Sequence, residues 1–76
     1  MAKTYSGREI IRVLTRYFGC VVVSQKGSHV KLRRIDGSQT LTTVVPLHRE
    51  VARGTLRGAL ELVEITEAEF RIAARD

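Results

Sequence analysis

The apolar residues of this chain first follow a helical spacing. Between Gly7 and Phe18 they recur every three or four positions, which predicts an amphipathic helix. Ser6 and Glu9 have the spacing of a capping box, so we expect this helix to begin at Gly7. Gly19 is placed to end it, because a residue without Cβ readily adopts the left-handed conformation. The predicted apolar stripe is Ile10, Ile11, Leu14, Tyr17 and Phe18.

The pattern then becomes that of three strands. Residues 20–25 are rich in valine, and Lys26-Gly27-Ser28 reads as a turn. Asp36-Gly37 is a strong hairpin signal, and the β-rich segment 38–45 predicts a returning strand. Pro46 should stop that strand because it cannot donate to a ladder. We therefore expect one antiparallel meander.

The middle strand has two chemically different faces. Side chains alternate along a strand, so Val30 and Leu32 are expected on one face. His29, Lys31 and Arg33 are then expected on the other face. The histidine would thus share its side of the sheet with two cations.

The chain after the sheet predicts one or two further helices. Segment 47–54 reads as a basic loop, and Thr55 is a plausible N-cap for a short helix. Thr66 and Glu69 repeat the capping-box spacing and predict a last helical segment over 67–76. Its expected anchors are Phe70 and either Ile72 or Ala73.

This order of elements predicts an α+β fold. A helix, a three-stranded antiparallel sheet, a second helix and a short C-terminal helix would form two layers, and the other face of the sheet would be left available. The 76 residues are expected to form a single domain over 1–76. The lone Cys20 cannot form an internal disulfide, and its valine-rich surroundings indicate a buried residue.

Charge and hydropathy narrow the class of partner. Thirteen Lys and Arg against eight Asp and Glu give a net charge of +5, which favours phosphate-bearing partners and nucleic acid first. Many small proteins are basic for no such reason, so charge alone leaves both interpretations open. The chain shows no apolar run of membrane-spanning length, and residues 1–10 lack the apolar segment of a signal peptide. We expect a cytoplasmic protein without a membrane partner.

Most enzyme chemistries lack their residues in this sequence. Two histidines in separate segments and one cysteine make a metal site unexpected. Phosphate-loop, dinucleotide-binding and nucleophile-elbow motifs are absent from the sequence, so no cofactor is expected. Gly54 and Gly58 are better explained by a turn and close helix packing than by a phosphate cradle.

His29 is the residue that remains for catalysis. Imidazole can accept and donate protons at cellular pH. RNA carries its own nucleophile, and a base that removes the 2′-hydroxyl proton lets that oxygen attack the adjacent phosphate. Lys31 and Arg33 on the same face would stabilise the negative charge that develops. The alternative is that His29 is simply an exposed polar residue.

Four sequence segments resemble the HicA family of toxin ribonucleases, also called YcfA-like mRNA interferases. They are "SGREIIRVL", "QKGSHVKLRR", "VVPLHREVARGTLRGAL" and "ITEAEF", in the order and spacing of that family. The most specific parts are Gly27-Ser28-His29, and Val45-Pro46-x-His48 followed by Gly54-Thr55-Leu56-Arg57. Two positions depart from the family pattern: Phe18-Gly19 inverts the usual order, and Glu64 stands where glycine is common.

The resemblance implies a fold and an activity. Family members look like double-stranded-RNA-binding domains, cleave mRNA without a metal, and are held inactive by a HicB antitoxin. It implies His29 as the catalytic residue. The residues expected to contact RNA are Lys26, Ser28, Lys31, Arg33, His48 and Arg57. If a second proton-transfer group is needed, His48 or a lysine could serve.

Two other functions stay open at this point. A domain of this shape can bind RNA through phosphate contacts without cleaving it. A protein-interaction module, whose basic face meets an acidic partner, would bind the antitoxin and show no RNA affinity above background.

Overall fold

Helix α1 (Gly7–Tyr17) begins with the predicted capping box. The structure is a computed structural model and describes residues 3–75. The backbone N–H of Glu9 donates to Ser6 Oγ at 3.1 Å, and the N–H of Ser6 donates to the Glu9 carboxylate at 3.0 Å. Gly19 follows the helix with a φ of +68°, as predicted. The predicted stripe is partly wrong, since Val13 is buried whereas Tyr17 is 42% exposed.

Three strands form the predicted antiparallel meander in the order β1-β2-β3. They are β1 (Cys20–Lys26), β2 (His29–Asp36) and β3 (Gln39–Pro46). Gly27 and Gly37 form the two turns with φ values of +60° and +62°, a conformation that favours glycine. Pro46 ends β3 from inside the strand instead of following it, which a terminal position permits.

Helix α2 (Arg53–Leu62) begins earlier than predicted. The prediction of Thr55 as its N-cap is wrong: the N-cap is Ala52, whose side chain makes no capping hydrogen bond. Tertiary contacts fix the start instead. The N–H of Val51 donates to the carbonyl of Tyr5 at 2.8 Å, and Arg53 pairs with Glu67 across to the next helix.

Helix α3 (Glu67–Ala74) begins with the second predicted capping box, between Thr66 and Glu69. Phe70 anchors it with no exposed surface, and its ring packs edge-on against Tyr5 at 5.1 Å between centroids. Of the two alternatives for the other anchor, Ala73 packs against the core and Ile72 is 66% exposed. The predicted segment ran to Asp76, which lies outside the described residues.

The helices cover one face of the sheet, as predicted for this α+β arrangement. Val30 and Leu32 enter the core from the middle strand. Thr43 is buried from β3 and is satisfied by donating its hydroxyl to the carbonyl of Ala59 at 2.8 Å. Cys20 is 3% exposed, as expected, and burial raises the pKa of its thiol. None of the helices in residues 3–75 is long and apolar enough to cross a membrane.

Close packing requires glycine in α1 and not in α2. A Cβ on Gly7 would overlap the carbonyl oxygen of Pro46, so α1 can begin this close to the end of β3 only with glycine. The close helix packing predicted at Gly54 and Gly58 is wrong, because a Cβ on either would meet no atom within 4 Å.

Candidate functional site

The face of the sheet opposite the helices carries the predicted basic residues. His29, Lys31 and Arg33 alternate with the buried Val30 and Leu32, and all three are exposed. We call this surface the open sheet face and define it by the exposed residues of β2 on the same side as His29 and their exposed cross-strand neighbours. Its members are His29, Lys31, Arg33 and Ile35 on β2, Ser24, Lys26 and Val21 on β1, and Thr40 and Val44 on β3.

His29 occupies the first position of β2, directly after the Gly27-Ser28 turn. The side-chain amide of Gln25 donates to the carbonyl of Gly27 at 3.0 Å, which fixes the turn from within β1. The strand register places Lys26 opposite His29 on one side and Pro46 opposite it on the other. Directly opposite residues in an antiparallel pair share a face, so Lys26 and His29 lie on the same surface.

A short loop after β3 brings His48 to the same end of the sheet. The N–H of Leu47 donates to the carbonyl of Ser28 at 2.6 Å, which connects this loop to the turn before His29. The N–H of Gly7 donates to the carbonyl of His48 at 2.9 Å. The structure therefore gathers Lys26, Ser28, His29 and His48 from three separate segments.

The cations of the open sheet face have no acidic partner in the described part of the chain. Among residues 3–75, neither Lys26, Lys31 nor Arg33 makes a salt bridge. The exposed apolar side chains beside them are Val21, Val44 and Ile35, at 55%, 43% and 72% exposure. The open sheet face thus combines unneutralised positive charge with apolar surface.

Arg57, the remaining predicted contact, lies elsewhere. It is on α2, in the helical layer, and its Nε is 3.8 Å from the Glu67 carboxylate. Arg53 and Arg71 approach the same carboxylate at 2.8 and 2.9 Å. Hydrogen bonding from Arg53, followed by that from Arg71, lowers the pKa of Glu67 despite some desolvation. The structure does not bring Arg57 to His29.

A cavity of about 470 Å³ also lies between α2 and α3. Its lining residues are Arg57, Glu61, Glu64, Ile65, Thr66 and Glu67. None of them belongs to the open sheet face. Within residues 3–75, no group of three or more His, Cys, Asp or Glu side chains is arranged to hold a metal ion.

A family comparison covers the open sheet face and α2. Residues 7–65 match the family model described as the HicA toxin of bacterial toxin–antitoxin systems, which is most of the 76-residue chain. The chain belongs to the HicA toxin family. No curated protein and no solved structure matches it.

The HicA match begins at the glycine on which α1 packs and ends just before α3. It includes all the predicted site residues: His29 and the six expected RNA contacts. Sequence reasoning did not identify Gly7 as a support of the His48 loop. The only local signal was a glycine at the first position of a helix, where glycine has no special value.

Proposed function

We propose that this HicA toxin is an endoribonuclease that cleaves mRNA in the cytoplasm, without a metal, and that His29 is its general acid–base group. The observation that carries the proposal is the position of His29 on an exposed surface with three cations that have no ion-pair partner within residues 3–75. Lys26 is directly opposite it, and Lys31 and Arg33 follow it on the same face of β2. Family membership supports the toxin role of this surface.

The arrangement suits phosphodiester cleavage by the RNA itself. His29 removes the proton from a 2′-hydroxyl, and the 2′-oxygen attacks the neighbouring phosphorus. Negative charge develops on the nonbridging oxygens, where Lys31 and Arg33 stabilise it. The strand backbone holds the histidine and both cations at fixed alternate positions, so little reorganisation is needed during the reaction.

RNA binding would use the same surface. Lys26, Lys31 and Arg33 supply charge for phosphates, and Ser28 and His48 supply polar contacts beside the turn. Arg57 stays a predicted contact of lower weight, because its ion pair with Glu67 places it in the helical layer. The expected likeness to double-stranded-RNA-binding domains fits a surface that recognises backbone and shape more than bases.

We further propose a HicB-type antitoxin as the protein partner. The family is one of toxins from toxin–antitoxin systems, so an antitoxin is the kind of partner implied. An acidic protein that covered the open sheet face would pair with its cations and bury Val21, Val44 and Ile35. Binding there would exclude RNA from His29.

The test is cleavage of a defined mRNA by wild type and His29→Ala in excess EDTA. General acid–base catalysis contributes roughly 10²- to 10⁴-fold, so the variant should lose at least that factor while binding RNA as before. Glu61→Gln, an exposed change on α2, is the control and should cleave like the wild type. Equal cleavage by wild type and His29→Ala would contradict the proposal.

The alternatives predict different results in the same assay. A non-catalytic RNA-binding module binds the mRNA in a salt-dependent manner, and neither protein yields product. A protein-interaction module forms a tight antitoxin complex and shows no RNA affinity above background.

A further inference from the structure

The histidines of the described chain lie at one end of the sheet although they are nineteen positions apart in sequence. Both His29 and His48 are exposed. His29 pairs with Pro46 in the β2–β3 ladder. The hydrogen bond from Leu47 N–H to Ser28 carbonyl, at 2.6 Å, continues the same register one residue further. His48 comes next, two residues beyond Pro46 and just outside β3.

The loop that carries His48 is held on both of its sides. Gly7 N–H donates to the carbonyl of His48 itself at 2.9 Å. Beyond the histidine, Thr4 Oγ1 donates to the Glu50 carboxylate at 3.1 Å. Together with the bond from Leu47 N–H to Ser28 carbonyl, these contacts hold the backbone at His48 close to the turn before β2.

We propose that His48 is a second catalytic residue: the general acid that protonates the leaving 5′-oxygen while His29 accepts the 2′-proton. This inference rests on the proposed ribonuclease function and deepens it. Neutral His29 takes the proton from the 2′-hydroxyl, the bond from O2′ to phosphorus forms, and the bond from phosphorus to O5′ breaks. Protonated His48 gives its proton to O5′. The products are a 2′,3′-cyclic phosphate and a 5′-hydroxyl.

Two histidines from neighbouring segments suit this reaction. The attacking and leaving oxygens lie roughly in line on opposite sides of phosphorus, so the base and the acid must approach the phosphate from two sides. Each needs to reach its oxygen within ~2.6–3.2 Å. His29 on β2 and His48 on the loop after β3 come from two different segments, which suits an approach to the phosphate from two sides. Because both are exposed, solvent can remove the proton from His29 and return one to His48 after each turnover.

Lys26 is the competing proton donor, since it lies directly opposite His29. An imidazolium releases a proton near neutral pH much more readily than an alkylammonium does. The lysine is better suited to stabilising charge on the nonbridging phosphate oxygens. Lys26 therefore has a different role from His48, and the two roles can be separated by experiment.

The experiment compares two RNA substrates that differ in one atom. The first has the natural oxygen at the 5′ position of the cleaved linkage, and the second has sulfur bridging there. A thiolate leaves without protonation, so the second substrate has no need of a general acid. His48→Ala should lose about 10²- to 10⁴-fold on the oxygen substrate and remain within about tenfold of wild type on the sulfur substrate.

Two variants give the matched comparison. His29→Ala should lose activity on both substrates because the 2′-proton must still be removed. Lys26→Ala should lose activity equally on both because the charge on phosphate develops in either case. The role of His48 would be overturned if His48→Ala cleaved the oxygen substrate at the wild-type rate. It would also be overturned if this variant lost activity equally on both substrates. If His29→Ala lost activity on both substrates while His48→Ala cleaved both like the wild type, the His48 role would be overturned and the proposed ribonuclease function would still stand.

Folding must be separated from chemistry. Melting followed by circular dichroism should give the same midpoint for His48→Ala and wild type, since the side chain is exposed. If the alanine variant is unstable, His48→Gln keeps a polar side chain that cannot act as a general acid and should show the same difference between the two substrates. Failure of the wild type to cleave either RNA would overturn both the inference and the proposed function.

Discussion

The open sheet face and the contact between α2 and α3, which we call the α2–α3 junction, both carry several basic side chains. Within residues 3–75, those at the junction are paired with a carboxylate and those on the open sheet face are not. At the junction, Arg53, Arg57 and Arg71 converge on the Glu67 carboxylate at 2.8–3.8 Å. On the open sheet face, the cations have no acidic neighbour with which to pair within residues 3–75. A net charge of +5 therefore does not by itself locate a phosphate-binding surface. Only the unpaired part of that charge attracts RNA without first breaking an ion pair.

Two adjacent arginines on β2 show, within residues 3–75, the same contrast between a free and an engaged side chain. Arg33 points to the open sheet face and is exposed. Arg34 points to the helices, donates to the carbonyl of Val63 at 2.7 Å, and has its guanidinium carbon 6.0 Å from the Phe18 ring centroid. Strand alternation thus commits one arginine to the fold and leaves its neighbour available for a ligand.

The largest expected difference between the two surfaces is in RNA affinity. Combined Lys31→Ala and Arg33→Ala substitutions should weaken RNA binding about tenfold or more. They should also make the plot of log affinity against log salt concentration less steep, by about 0.7 for each single-strand phosphate that is no longer neutralised. Combined Arg53→Ala and Arg57→Ala substitutions remove the same charge from the junction and should change both quantities much less. Titration of a labelled mRNA at several salt concentrations measures both. Equal effects of the two pairs would show that ion pairing does not distinguish the two surfaces.

Glycine substitutions extend the contrast from charge to packing. Gly7→Ala places a Cβ against the carbonyl of Pro46, and such overpacking should lower the free energy of unfolding by about 1–3 kcal/mol. Gly58→Ala fills open space within α2 and should raise it by about 0.8–1 kcal/mol through helix propensity. Urea unfolding of both variants tests the opposite signs. An unchanged free energy of unfolding for Gly7→Ala would show that α1 can shift away from β3 at little cost.

Glu64 is a smaller test within the junction. It has a φ of +57°, in the left-handed region that favours glycine. Glu64→Gly should stabilise the chain by about 0.5–1 kcal/mol, because relief of the left-handed penalty exceeds the entropy cost of glycine. Glu64→Ala keeps a Cβ and is the control. The two variants should differ in chemical denaturation midpoint, and equal midpoints would contradict the strain.

The smallest expected effect is the acid sensitivity of Glu67. Its pKa is lowered in the folded chain, mainly by the hydrogen bond from Arg53. Its stabilisation is therefore complete above the unfolded glutamate value of about 4.3 and is lost as pH falls through the lower folded value. Wild type should melt slightly above Glu67→Gln at neutral pH, and the gap should close in acid. A difference in melting temperature that persists at low pH would show that it does not arise from the charge of Glu67.

Local signals predicted much of this fold, and long-range contacts account for the errors. Both capping boxes act within four residues, so Ser6 and Thr66 located the starts of α1 and α3 correctly. The start of α2 depends on the pairing of Val51 with Tyr5, which no local pattern around Thr55 reveals. Similarly, the exposure of Ile72 depends on which side of α3 faces the core, and a short apolar pattern fits either side.

The candidate site was predictable to the same extent. Alternation along β2 placed His29, Lys31 and Arg33 together on the exposed face. The pairing of Arg57 with Glu67 depends on how α2 meets α3, which sequence spacing does not give. The catalytic role of His29 and the single-domain interpretation stay predictions.

The burial of Cys20 gives the chain an internal reporter of opening. The thiol lies in the hydrophobic core at the start of β1, and its raised pKa keeps the reactive thiolate scarce in the folded state. A thiol-reactive dye should therefore label the chain only during the moments when the core around Cys20 opens. Labelling rates would then time that opening in each variant, with no engineered label and with one modified position per molecule.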